Sequence, residues 1–142
     1  MKNKTNYKQT ETRLRQDYGG QVGEIPEDWR IDAFRNLVVN LDSQRVPLSS
    51  MERANKKGIY PYYGASGIID YIDDFIFDGK YLLISEDGEN LKSRKTPINF
   101  FANGKFWVNN HAHIVKANGQ SNLEFLHYCL LNTSISEYLS GS

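Results

Sequence analysis

A chain of 142 residues, 39% hydrophobic and 13% aromatic, with 17 basic residues against 17 acidic ones, has the composition of a folded domain and not of a disordered segment. A single cysteine, Cys129, excludes an internal disulfide framework and a cysteine-built zinc cage, and its apolar surroundings predict a small buried core residue. The zero formal net charge counts against a purely electrostatic polyanion binder.

Residues 1–22 read as a polar N-terminal tail, with some helix expected around Thr10 to Asp17, and residues 23–142 as one domain. Met1-Lys2-Asn3-Lys4 leads into polar residues, without the apolar stretch of a signal peptide. No run approaches the roughly 20 apolar residues of a membrane span, so the expected setting is cytoplasmic, with no membrane partner. Pro26 is expected to fix a turn and Trp29 to anchor the start of the core. Ile31 to Val39 is an apolar stretch that periodicity leaves open between strand and short helix.

From Arg45 to Val115 the pattern is strands and turns. Gly58 to Ile72 holds two aromatic and β-branched runs around the small-residue loop Gly64-Ala65-Ser66-Gly67. Asp78-Gly79 predicts a tight hairpin turn between Phe75-Ile76-Phe77 and Lys80-Tyr81-Leu82-Leu83-Ile84, and Asn103-Gly104 predicts a second one. Ser121-Asn122-Leu123-Glu124 has the spacing of a capping box, and the leucines that follow predict a helix over 122–140, continuous or in two pieces. Strands followed by a closing helix imply a mixed α/β (α+β) domain with a curved, largely antiparallel sheet and flanking helices.

His111-x-His113, on a strand, would point two imidazoles the same way and suggests a shared metal, but no second histidine cluster offers further ligands. The reading therefore assigns no metal. Asp70, Asp73, Asp74, Asp78, Glu86, Asp87 and Glu89 have the chemistry of a nuclease or glycosidase site, yet several sit in turns where Asp is favoured for backbone reasons. There is no nucleophile elbow, phosphate loop or Gly-x-Gly-x-x-Gly. No catalytic residue and no cofactor is assigned. What remains is loops rich in Gly, Ser, Asn, Tyr, Lys and Arg between aromatic strands, residue types that can donate to guanine edges, pair with adenine and hold phosphates. A metal-dependent phosphodiesterase built on His111 and His113, or a protein-interaction domain, are the alternatives.

Five segments in order carry a resemblance. Gly23-Glu24-Ile25-Pro26-Glu27-Asp28-Trp29, Tyr60-Pro61-Tyr62-Tyr63-Gly64-Ala65-Ser66-Gly67, Ile84-Ser85-Glu86-Asp87-Gly88-Glu89-Asn90-Leu91 and Trp107-Val108-Asn109-Asn110-His111-Ala112-His113-Ile114 are similar to motifs of target-recognition domains in type I restriction-modification specificity subunits. Tyr138-Leu139-Ser140-Gly141-Ser142 resembles the end of such a domain. The resemblance implies a non-catalytic module that reads one half of a bipartite double-stranded DNA target. It also implies partners: methyltransferase subunits, which bind S-adenosylmethionine, and restriction subunits, which use ATP. This sequence stops where the first spacer helix of a full subunit is expected to begin, and that helix and the second recognition domain are read as absent from it.

Motifs shared by proteins that read different targets are expected to build the scaffold, leaving base reading to residues between or beside them. The candidates are Arg45, Arg53, Lys56 and Lys57 before the Tyr-Pro-Tyr-Tyr motif, then Ser66, Asn90, Lys92, Arg94 and Lys95.

Overall fold

A computed structural model describes residues 4–9, 23–135 and 139. The chain divides into two compact units, residues 1–34 and 35–142. In the first, β1 (Tyr7–Gln9) pairs antiparallel with β2 (Glu24–Pro26). Part of the expected tail is thus a strand, and the helix expected over Thr10 to Asp17 lies outside the described residues. Pro26 closes β2 and its carbonyl accepts from the Trp29 amide at 3.0 Å, so the proline sits at the start of the turn. Trp29 is 47% exposed and is not the buried anchor expected of it.

The second unit is built on a six-stranded, mostly antiparallel sheet, which bears out the mixed fold class. The stretch left open between helix and strand supplies both, a 3-10 turn at Phe34–Asn36 and then β3 (Val38–Asn40). The other strands are β4 (Lys57–Gly64), β5 (Gly67–Ile72), β6 (Phe77–Ser85), β7 (Asn99–Val108) and β8 (Ala112–Ala117). Their order across the sheet is β3-β8-β6-β7-β4-β5. β-Branched and aromatic residues fill them, as a pleated, half-buried surface favours. Gly64 pairs with Gly67 across the Ala65-Ser66 turn, so β4 and β5, the two runs read around that small-residue loop, form a hairpin. β4 meets β7 in parallel, Tyr62 beside Trp107 and Tyr63 beside Val108.

Neither Asp78-Gly79 nor Asn103-Gly104 is a hairpin turn. Both lie inside long strands and face each other across the ladder, Asp78 beside Lys105, Gly79 beside Gly104 and Lys80 beside Asn103. The sequence signal was real, since both glycines hold positive φ, 143° and 79°. What they make is a bend in a two-stranded ribbon. A straight strand would separate Phe100 from Phe106 by roughly 20 Å, yet the Tyr63 ring lies 5.8 Å from one ring and 5.4 Å from the other. Phe77 and Tyr81 are likewise 5.5 Å apart between ring centroids, where four residues of straight strand span roughly 13 Å. The ribbon therefore turns a corner at the glycine pair.

Pleat alternation decides what each side of that corner carries. Phe77, Ala102 and Phe106 face inward and are buried with Leu41, Leu83, Val108, Ala112 and Ile114, while Tyr63, Tyr81 and Phe100 pack against them. The Tyr81 ring covers Gly79, where an added Cβ would meet its Cε2 at 3.3 Å. Tyr62, Ile72 and Trp107 form a second cluster, tied to the segment before β4 by bonds from the Trp107 indole to the Val46 carbonyl at 2.6 Å and from the Leu48 amide to the Tyr62 hydroxyl at 2.9 Å.

Among the described residues, three short α-helices complete the unit. α1 (Ser50–Ala54) starts with a capping box, Ser49 with Glu52. α2 (Asn90–Ser93) is one turn, ended by Arg94 at φ 51°. α3 (Leu123–Leu131) buries Leu123 and Leu126. Its cap is Asn122, whose side chain accepts from the Phe125 amide at 3.1 Å, so the expected capping box of Ser121 with Glu124 is out by one residue. Glu124 instead binds Lys80. The helix stops nine residues short of the expected Ser140; residues 133–135 are not helical, and most of the rest lies outside the described residues. Cys129 is partly buried, not fully, and burial raises its thiol pKa. Among the described residues no helix is long and apolar enough to cross a membrane.

Candidate nucleic-acid interface

Three of the sequence motifs meet at one end of the sheet. The Ser85 hydroxyl donates to the Ala65 carbonyl. The Asn109 amide donates to the Tyr63 carbonyl and the Glu86 amide to the His111 carbonyl, each at 3.0 Å. Asn109 turns its side-chain oxygen to the His111 amide at 2.8 Å. The strand ends at Gly64, Ser85 and Val108 are thereby locked to one another.

Arg45 ties the lock from outside the motifs. Its side chain is 14% exposed. It reaches Glu86 at 2.7 Å, the carbonyls of Ala112 at 2.9 Å and Asn110 at 3.3 Å, and through Nε the Asp42 carbonyl at 3.0 Å. Asp42 in turn accepts from the Ile114 amide at 2.9 Å and stands 2.6 Å from His113 Nδ1. Burial pushes the Asp42 carboxyl up, but His113, the Ile114 amide and Asn40 outweigh it and hold the pKa below its ordinary value. Among the described residues, no buried side-chain nitrogen or oxygen lacks a partner.

His111 and His113 do not converge. His111 precedes β8 and lies 2.6 Å from Asp87, whereas His113 is within β8 and turns to Asp42. The strand periodicity that would have aligned them does not reach His111. Among the described residues no three His, Cys, Asp or Glu side chains gather as metal ligands do.

The nine candidate readers fall in different places. Arg53 donates to Asp70 at 3.1 Å and to the Leu48 carbonyl at 2.7 Å, with its guanidinium 5.0 Å from the Tyr62 ring centroid. Lys57 also reaches Asp70, at 2.7 Å, and Lys56 stands 3.5 Å from Asp73. Hydrogen bonds from Lys57, the Tyr71 amide and Arg53 lower the Asp70 pKa to about 2. Arg53 lies in α1 and Lys56 just before β4, while Lys57 opens β4, roughly 23 Å along the strand from the Ala65-Ser66 turn.

Ser66, by contrast, is exposed at that turn, close to the motif cluster. Asn90 folds its own loop, holding the Thr96 amide at 2.9 Å and the Thr96 carbonyl at 2.8 Å. Arg94 donates to the carbonyls of Thr133 at 2.7 Å and Leu130 at 3.3 Å, where a cation suits the open end of α3. Shallow clefts lie on either side of it, one lined by Lys92 and Thr133, the other by Lys95 and Pro97. Lys92 and Lys95 are exposed. Ser66, Lys92 and Lys95 thus face solvent, while Arg45, Arg53 and Arg94 are occupied in holding the fold. Asp42 went unnoticed in the sequence because its partners lie in β8, 71 and 72 residues away.

Residues 26–142 match the family described as type I restriction modification DNA specificity domain. A protein of Haemophilus influenzae named as a type I restriction enzyme specificity subunit is 36% identical over 115 residues, 80% of this chain and 28% of that protein. The specificity subunit of the type I restriction enzyme EcoprrI from Escherichia coli is 28% identical over 95 residues, 65% of this chain and 22% of that protein. The chain spans about a quarter of the length of these relatives. No solved structure matches it.

Proposed function

This chain belongs to the family of type I restriction modification DNA specificity domains, and on that premise we propose that it recognises a specific sequence in double-stranded DNA. The observation that carries the proposal is the family match over residues 26–142. As a specificity domain, the chain serves recognition and not catalysis. The geometry adds a physical reason to the assignment. A locked strand-end cluster is a rigid platform, and recognition of base edges depends on such preorganisation. Ser66 is exposed at its edge, and Lys92 and Lys95 are exposed in the loop around Arg94; side chains of these types can hold phosphates and donate to guanine.

Within a longer subunit, residues 23–142 serve as one recognition domain that reads half of a split target. A methyltransferase subunit and a restriction subunit of the same system are its partners. Alone, the domain binds more weakly than a linked pair, because it lacks the second domain's contribution to effective concentration.

The test is selection from a pool of duplexes randomised over a central stretch, followed by gel shifts across a salt series with the enriched sequence. Enrichment of one sequence is expected, with affinity falling as salt rises by about 0.9 log units per log unit for each phosphate contacted. Binding that ignores sequence would defeat the proposal.

A further inference from the structure

We propose that the outer face of the β6–β7 corner enters the major groove, and that Asn103 and Lys105 are its specificity-determining residues. This rests on the DNA-reading proposal above and deepens it by assigning the reading to side chains outside the shared motifs. Four polar residues occupy that face. The register sets Asp78 beside Lys105 and Lys80 beside Asn103, with Gly79 and Gly104 between them. All four are exposed, whereas Phe77, Ala102 and Phe106 on the inner face are buried.

The shape fits. Two strands about 4.8 Å apart, bent outward, form a narrow ridge, and a two-stranded ribbon is one of the elements that a major groove about 12 Å wide admits. At Gly104 an added Cβ would meet nothing within 4 Å, so the backbone at the crest is open to a close approach. The chemistry fits as well. Asn pairs with adenine, Lys donates to guanine and Asp accepts from cytosine. One of the ridge residues is already committed, since Lys80 binds Glu124 and lies over the Phe101 ring. Asn103 makes no side-chain hydrogen bond among the described residues. Lys105 has only the face of Phe75, 4.9 Å from its ammonium.

Position in the sequence points the same way. The shared motifs occupy 60–67, 84–91 and 107–114, and the corner is formed by the later parts of the two intervals between them, outside all three motifs.

The experiment repeats the duplex selection with the 142-residue chain and with Asn103→Ala and Lys105→Ala, with thermal melts to establish that each variant is folded. The expected result is a parent that enriches one sequence, and variants that melt with the parent but lose about tenfold or more of its discrimination at one or two base pairs. Variants that enrich the parental sequence with parental affinity would overturn the corner assignment and leave DNA reading intact. A parent that enriches no sequence would remove both. Lys92→Ala with Lys95→Ala provides the contrast, with affinity lowered for all duplexes and discrimination unchanged.

Discussion

The two ends of the curved sheet differ in how their polar groups are used. At the motif end, Arg45, Asp42, Glu86, Asp87, His111 and His113 each have a partner within the domain. At the corner, Asn103 and Lys105 project from a bent ribbon with no hydrogen bond or ion pair among the described residues. A charge satisfied internally stabilises geometry but has little left to offer a ligand. A polar group left open contributes almost nothing to stability and is available for binding. The difference teaches that residue type alone does not identify a reader: an arginine can be structural and a turn-like asparagine can be a contact.

Breaking the motif end should have the largest effect. Arg45→Ala leaves the Glu86 carboxylate and the carbonyls of Asn110 and Ala112 without their donor, and should cost about 3 kcal/mol in urea unfolding. A loss under half that would place Arg45 among ordinary surface residues. At the corner, Gly104→Val forces a β-branched residue to φ 79° and should cost about 1–2 kcal/mol, read from the same unfolding curves. If it costs nothing, the bend does not depend on the glycine pair. Asn122→Ala removes the α3 cap and should cost about 1 kcal/mol, with Asn122→Ser restoring most of it.

The acid side offers a further contrast between the ends. The Asp42 pKa is lowered in the folded protein. Its contribution is therefore full above the unfolded value, near 4, and is lost as pH falls through the folded one. Asp42→Asn should flatten stability against pH below about pH 4, whereas the Asp78 carboxylate at the corner accepts no hydrogen bond among the described residues. Smallest of all, Asn103→Ala and Lys105→Ala should alter unfolding by no more than about 0.5 kcal/mol. A larger change in either would mean that the corner side chains serve the fold.

Much of this was legible from local pattern. The Tyr60-to-Gly67 segment gave a hairpin because Gly64 and Gly67 frame a two-residue turn, and the leucines after Asn122 gave a helix whose true cap was one residue from the expected one. The motifs in order gave the family. The candidate site was less legible. Of the nine residues picked as readers, Arg45, Arg53 and Arg94 are occupied by carbonyls and carboxylates distant in sequence, while Asn103 was read as part of a turn and Lys105 as part of the strand after it.

The fold class, the existence of the strands between Arg45 and Val115 and the membership in a DNA specificity family were thus set by the sequence, because β propensity, turn chemistry and motif order are local properties. Tertiary structure alone decided which charges are spent and which are open. A salt bridge such as Arg45 to Glu86 spans 41 residues, and no local pattern records it. It also decided that Asp78-Gly79 and Asn103-Gly104 are one corner, because positive φ permits either a turn or a bend, and the partner strand selects between them.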